Sequence, residues 1–388
     1  MPFYTEDQSK IISNLFPERA EEYNQLLESF GDFVEKEILP TARTIDKQGI
    51  FPKENMDKIF RQGFTNIPYP QDLEGLGLPY PIYIACMELV GKACASTAIS
   101  LAIHGTVCDG LYRFGNRELH EKYLKDLITG RKLAAFGLTE SNAGSDARAM
   151  TTQAILDSSG HWKINGSKMY ITNSAKADYY FVFAKTDKGY AAILVPNETQ
   201  GFSWGSNITK MGLRGSSLMG LNFDNVLVPK ENLVGENGEG FEYAKKMLFG
   251  GRITIAALSL GIAQAALEKT IAYSKEREAF GKHLSEFEIT RAKVADMMTE
   301  IHGARLMTYY AALLKGREQD FGIEACEAKL YATEMALRVC NQAIQIHGGY
   351  GYTDEADVHR HWRDAKLMTI GEGTSEIMQV IISGKAFE

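Results

Sequence analysis

A glutamate set between two glycines, Gly371-Glu372-Gly373, ends an apolar stretch and is followed at once by Thr374, Ser375, Glu376 and Ile377. Such a carboxylate sits on a tight loop with no bulky neighbour to bar a ligand. Held in an apolar cleft, its charged form is desolvated, its pKa rises, and it becomes a proton acceptor near neutral pH. The tripeptide alone also describes a solvated turn acid, so the choice rests on what else the chain carries. Two segments bear on it. One is 137–146, Gly-Leu-Thr-Glu-Ser-Asn-Ala-Gly-Ser-Asp, rich in hydroxyls and loop amides. The other is 345–352, Gln-Ile-His-Gly-Gly-Tyr-Gly-Tyr, followed by Glu355, Arg360 and Asp364.

Other chemistries find little support. His347, His359 and His361 suggest a metal, but residues two apart on a helix point in different directions, and no metal site is expected. Cys86, Cys94, Cys108, Cys326 and Cys340 are odd in number and far apart, with no C-x-x-C. They read as free thiols of a reducing compartment. No glycine-rich fingerprint stands between a strand and a helix, so a nicotinamide or P-loop site is not supported. A net charge of −7 disfavours nucleic acid as a partner. No apolar run is expected to span a bilayer. The early acidic N-terminus lacks the basic start of a secretory signal and argues against a transit peptide. A bacterial cytoplasmic protein, or one whose leader has been removed, is expected.

Taken together, the three segments resemble the acyl-CoA dehydrogenase family. Its pattern G-[LIV]-[ST]-E-x-x-[GAN]-G-[ST]-D fits 137–146 without a gap. Its pattern Q-x-x-G-G-x-G-[YF]-x-x-[DE]-x4-[KR]-x3-[DE] fits 345–364, and E-G-T-[ST]-x-I fits 372–377. The resemblance runs the length of the chain. It implies α,β-dehydrogenation of an acyl thioester, with FAD as hydride acceptor, an electron-transferring flavoprotein as partner and a homotetramer as assembly. Glu372 is then the base that takes the α-proton, and its own backbone N–H helps bind the developing enolate oxygen. Some relatives place the base one residue before an arginine in a helix. Here that position is Gly251, which cannot serve, and Arg252 is expected near the catalytic carboxylate. Phe249 stands where many relatives have an aspartate that meets the pantetheine.

By the same resemblance, Phe136, Leu138, Thr139, Gly144 and Ser145 line the FAD, with Ser145 also on the substrate side. Tyr170, Ile171 and Thr172 follow, Tyr170 replacing a common tryptophan. Arg277, Phe280 and Phe287 belong to a turn that reaches the cofactor of a neighbouring subunit; Glu288 replaces the usual glutamine there. Gln345, Gly348 and Gly349 let the backbone approach the adenosine half. Thr374 and Glu376 meet the cofactor from the catalytic segment. Arg252, Gly371 and Gly373 flank the substrate. Gly371 replaces a frequent tyrosine. Either the missing ring widens the pocket for branched or alicyclic acyl groups, or glycine serves only the loop. Segment 93–99 lacks the arginine that binds a distal carboxylate in relatives acting on glutaryl-CoA, so a dicarboxylic substrate is not expected. A short or medium acyl chain is expected. A flavin oxidase or monooxygenase, or a non-catalytic flavoprotein, are the rival readings on the same fold.

These residues need a scaffold, and the periodicity supplies one. Helical spacing dominates from about residue 9 to 130, with Phe30, Phe33, Val34, Ile38 and Leu39 on one face and further helices near 81–94 and 101–114. From about 132 short alternating runs take over, at 178–185, 190–196 and 221–228, with strand and turn at 161–166. From about 240 helices return, near 241–279, 284–315 and 322–346. The expected fold is α+β. It divides into an N-terminal helical domain (1–130), a middle β-domain (131–235) and a C-terminal four-helix bundle carrying the glutamate (236–388).

Overall fold

The computed structural model of the chain describes residues 2–387. Helix α1 (Glu6–Leu15) starts at Thr5, whose hydroxyl accepts from the Gln8 N–H while the Gln8 side chain accepts from the Thr5 N–H. This reciprocal cap satisfies two otherwise orphaned donors. In α2 (Ala20–Glu37) the buried Tyr23, Leu27, Phe30 and Val34 recur every three or four residues. Pro40 tightens the chain into a short 3-10 turn. The short helices α3 (Ala42–Gln48) and α4 (Lys53–Arg61) lead to α5 (Tyr80–Ala93) and α6 (Ala95–Phe114). Every residue of α5 is buried, as befits a helix apolar all round. Two short helices, α7 (Arg117–Leu119) and α8 (Lys125–Ile128), bring the chain to the sheet.

The middle sheet comprises β1 (Ala134–Gly137), β2 (Gln153–Leu156), β3 (His161–Thr172), β4 (Tyr179–Thr186), β5 (Gly189–Pro196), β6 (Phe202–Trp204), β7 (Leu218–Pro229) and β8 (Leu233–Gly238). Spatial order is β6-β7-β3-β2-β4-β5-β8, with β1 parallel beside β4. The expected turn at 161–166 is not a turn. β3 continues through Gly166, and the register with β7 slips there as a bulge. A Cβ on Gly166 would come within 2.7 Å of Thr152, so close approach to the neighbouring strand explains the glycine.

The last third is helical: α9 (Gly240–Glu276), α10 (Glu288–Gly316), α11 (Gly322–His347), α12 (Val358–Met368) and α13 (Ser375–Ala386). Between α9 and α10 lies a small hairpin, β9 (Glu278–Ala279) with β10 (Lys282–His283). Helical spacing alone had placed 278–279 inside a helix. The C-terminal helices form the expected helical domain, with α9, α10 and α11 packed on one another. Their buried faces share one continuous core with α1, α2, α5 and α6. A buried ion pair crosses that core: Arg305 on α10 donates from both Nε (3.0 Å) and Nη2 (2.7 Å) to Glu88 Oε1 on α5, and Tyr309 donates to Glu88 Oε2 at 3.1 Å. Removing one partner of such a pair costs about 3–5 kcal/mol.

One expectation fails here. Helix α9 is long and apolar enough to cross a bilayer, but 89% of its most apolar stretch is buried inside the protein. It is the central core helix, packed on α5, α6, α10, α11 and the sheet.

Candidate active site

Glu372 occupies the loop between α12 and α13 at φ +56°. A non-glycine residue held in the left-handed region costs of order 1–3 kcal/mol, and something must over-determine it. Two buried cations do so. Arg252 of α9 donates from Nε to the Glu372 carbonyl at 3.2 Å, and Lys329 of α11 donates from Nζ to the Gly373 carbonyl at 2.5 Å. On the far side Thr374 caps α13, its hydroxyl accepting from the Ile377 N–H at 3.3 Å. Ser375 ties the turn to α11 through Glu334 (2.6 Å) and to α12 through the Thr369 carbonyl (3.0 Å).

The carboxylate has the opposite character. Its Oε2 is shielded from water and has no hydrogen-bond partner among the described residues. Burial pushes its pKa up to about 7, against the pull of Arg252 and Lys329. The other glutamate in a motif, Glu140, behaves differently. Burial opposes its ionisation too, but bonds from Thr152, Lys168 and Thr151 prevail and hold it at about 2. One carboxylate is held as an anion and the other titrates near 7, so the two differ in what they can do with a proton.

Room for the carboxylate comes from Gly251. A Cβ there would lie 2.6 Å from Glu372 Oε2 and 3.3 Å from Thr106 Oγ1. Thr106 is on α6, which also holds the segment 134–173. His104 Nδ1 accepts from the Ala134 N–H at 3.1 Å, and the Ser100 carbonyl accepts from Asn173 Nδ2 at 3.0 Å. Burial lowers the His104 pKa to about 4, so the ring is neutral and can accept. The same helix therefore faces Gly251 on one side and the ends of β1 and β3 on the other.

At those ends, the Met169 N–H donates to the Thr139 carbonyl at 2.8 Å. Tyr170 stands in a bulge at φ +58°, and its ring projects outward, 59% exposed. A bulge re-aims a side chain in this way. The hydroxyls of Thr139, Ser145 and Thr172 make no hydrogen bond within the described residues. Leu138 and Ile171 point into the core, so only their backbone is available to a ligand. Phe136 packs against Phe183. Gly144, Gly348 and Gly349 border open space, where a Cβ would meet nothing. An outward aromatic face, free hydroxyls and bare backbone fit a flavin with its polar edge and phosphates.

The remaining expected residues lie in two outer groups. Arg277 is exposed and its side chain has no partner among the described residues; Phe280, 97% exposed, meets Phe287 edge to face at 6.4 Å. Gln345, Gly348 and Gly349 sit at the end of α11. No hydrogen bond, ion pair or ring contact among the described residues joins either group to Glu372. Glu376 is exposed on the first turn of α13. Arg360 and Asp364 are structural: Arg360 holds Asp357 through two 3.0 Å bonds, and Asp364 accepts from the Leu213 N–H at 2.6 Å. Phe249 packs under the Arg252 guanidinium at 5.1 Å. Lys329 and Thr106 were missed from sequence. Lys329 lies among the buried Ala325, Ala328 and Ala332, and a lone cation on the buried face of a helix was the available signal.

Comparison with known proteins agrees with this arrangement. Three family descriptions match consecutive stretches: "Acyl-CoA dehydrogenase, N-terminal domain" at 20–131, "middle domain" at 135–226 and "C-terminal domain" at 238–386. The chain belongs to the acyl-CoA dehydrogenase family. Among curated relatives, the probable acyl-CoA dehydrogenase YngJ of Bacillus subtilis is 44% identical, over 94% of this chain and 98% of that protein. The solved butyryl-CoA dehydrogenase of Megasphaera elsdenii superposes with a TM-score of 0.93 at 40% identity, covering 94% of this chain and 98% of that one. An FAD complex of PigA superposes with a TM-score of 0.90 at 29% identity, covering 94% and 97%. The protein is an FAD-dependent oxidoreductase of the acyl-CoA dehydrogenase type.

Proposed function

We propose that the protein dehydrogenates a short-chain acyl-CoA between its α- and β-carbons, with Glu372 as the base. The observation that carries the reading is the desolvated, unpartnered Glu372 carboxylate with its pKa near 7. A base of that strength removes a weakly acidic α-proton best near neutral pH. Arg252 and Lys329 fix the carbonyls on either side, so the carboxylate is aimed before substrate arrives. The Glu372 N–H has no acceptor among the described residues and is free to donate to the thioester oxygen as negative charge develops. Thr139, Ser145, Tyr170 and Thr172 would hold the flavin, which when bound accepts the hydride from the β-carbon.

The short chain follows the butyryl-CoA dehydrogenase likeness. Gly371 adds width near the reacting carbons. A Cβ there would meet only Leu367, at 3.7 Å or more, so a branched or alicyclic chain belongs to the same proposal. The exposed Phe280 and the apolar residues Ile289, Met298, Leu306 and Tyr310 along α10 support association with further copies. A tetramer places Arg277 against a neighbour's cofactor. An electron-transferring flavoprotein is the proposed acceptor, and the bacterial cytoplasm the proposed location. The test is turnover of butyryl-CoA by the FAD-loaded protein with an artificial electron acceptor. Activity that vanishes in Glu372→Gln supports the reading; no turnover of any acyl-CoA overturns it.

A further inference from the structure

A single buried lysine grips residues 138–140. Lys168 on β3 is fully buried, and its Nζ donates to the Leu138 carbonyl at 3.0 Å and to Glu140 Oε1 at 2.9 Å. Thr139 lies between those two residues. Leu138 and Glu140 are buried and Thr139 is half-buried, the alternation of an extended chain. The next residue of β3 completes the grip, because the Met169 N–H donates to the Thr139 carbonyl at 2.8 Å. The Thr139 side chain is thereby left on the other side of the chain from Lys168, with its hydroxyl unbonded among the described residues.

The same ion pair borders both neighbouring features of the site. Glu140 closes a tight turn, exchanging two 3.1 Å backbone bonds with Ala143. Gly144 and Ser145 follow that turn directly. Lys168 itself pairs with Leu221 of β7, and the register slips before the next pair, Ile171 with Met219. The bulge that carries Tyr170 therefore starts at the residue after the buried lysine.

Stability alone is a poor reason for such a pair. Two buried charges are costly, and apolar residues of similar volume often serve as well. Burial lowers the Lys168 pKa to about 8, against the pull of Glu140, so the ammonium is still charged at neutral pH. Glu140 would not be orphaned without it. The carboxylate also accepts from the Thr151 N–H (2.6 Å), the Thr151 hydroxyl (2.7 Å) and the Thr152 N–H (3.0 Å). What Lys168 adds is a fixed spacing between the 138–140 segment and the start of the bulge.

We infer that Lys168, paired with Glu140, is a positioning residue of the flavin site: it sets Thr139 against the Tyr170 bulge so that both meet the cofactor in one geometry. The inference rests on the proposed flavin seat at Thr139 and Tyr170 and adds what holds that seat in shape.

The experiment measures the FAD dissociation constant of the full-length protein and its variants by flavin fluorescence, with the melting temperature of each FAD-free protein beside it. Lys168→Met is expected to stay within about 5 °C of the wild-type melting temperature and to weaken FAD binding about tenfold or more. Thr139→Val and Tyr170→Ala should each weaken it about fivefold in the wild-type background. In the Lys168→Met background each should cost less than about twofold, because the geometry they depend on is already lost. Gln345→Ala, on α11 and outside the grip, should keep its full effect in both backgrounds. A lysine that merely stabilises the sheet would leave all three effects undiminished, and that result overturns this inference alone. Wild-type FAD affinity in Lys168→Met overturns it too. So does failure of both Lys168→Met and Lys168→Gln to fold, which would make the pair a folding element. If Thr139→Val and Tyr170→Ala both leave FAD binding unchanged in the wild-type background, the proposed flavin seat is wrong and the inference falls with it.

Discussion

Gly251 and the Glu372 carboxylate adjoin across the site: a Cβ on the glycine would lie 2.6 Å from Oε2. The atom in the way is the free end of a side chain, not backbone. A methyl group at 251 therefore turns the carboxylate aside and leaves the helix intact. Gly251→Ala is expected to keep or raise the melting temperature, since alanine favours a helix interior by up to about 1 kcal/mol. Turnover should fall by about 10- to 100-fold, because a displacement of about 1 Å at a reacting group has that effect. Thermal unfolding and steady-state kinetics on one preparation check both halves. Wild-type turnover in this variant would show that Glu372 does not need the space.

Glu372→Gln separates catalysis from folding in another way. Turnover should drop by about 10³-fold, with FAD content unchanged by absorbance. Stability should change with pH in a defined direction. The folded carboxyl titrates near 7 against an ordinary 4.5. Between those values the folded chain keeps a proton that the unfolded chain releases. Wild type thus loses stability as pH rises through this window, by up to about 3 kcal/mol, and the glutamine variant does not. The melting-temperature difference between variant and wild type should grow in the variant's favour from pH 4.5 to pH 8. A difference constant with pH would mean that the carboxyl is not desolvated.

Lys329 acts on the base through charge and through the Gly373 carbonyl. Burial lowers its own pKa to about 8, with Arg252 adding to the effect and Glu372 opposing it. While protonated, it lowers the pKa of Glu372. In Lys329→Met the ascending limb of kcat/KM against pH, expected near 7 in wild type, should move to higher pH. A merely structural lysine would lower the plateau and leave the limb in place.

Arg277 is exposed, and its side chain has no partner among the described residues. If it reaches a neighbour's cofactor, Arg277→Ala should weaken FAD retention and oligomer mass together. Gel filtration coupled to light scattering, with FAD content measured on the same peak, tests the linkage. Unchanged values for both would place Arg277 outside the interface.

Much of the site was legible because it is local in the chain. Gly371, Glu372 and Gly373 are consecutive, and Thr374 caps the next helix from the same run. Arg252 was found through its neighbour Gly251. Lys329, which holds the Gly373 carbonyl, was harder to see, because α11 brings it from far along the chain. In the fold, alternation gave β4 and β5 to within one residue and the central part of β7. It could not tell a turn from the bulge at Gly166, since both break a period of two. The β9–β10 hairpin was hidden by the long helices on either side. Local patterning marked the helical stretches at either end of the chain, but that α5 and α9 face each other within one core is a long-range relationship that no local pattern carries.

That shared core has a consequence for how the chain is made. Helices α5 and α6 are complete by Phe114, but the α9 residues that cover them begin only near Ile253. At about 5–20 residues per second, the ribosome delivers that cover some 7 to 30 seconds later. During this interval the most apolar helices of the protein have only each other and the earlier helices to pack on, and their α9-facing sides stay uncovered. A nascent chain arrested before residue 240 is expected to bind holdase chaperones and to precipitate without them. Once α9 emerges, a single helix closes both the early helices and one face of the sheet, so late synthesis and final collapse fall together.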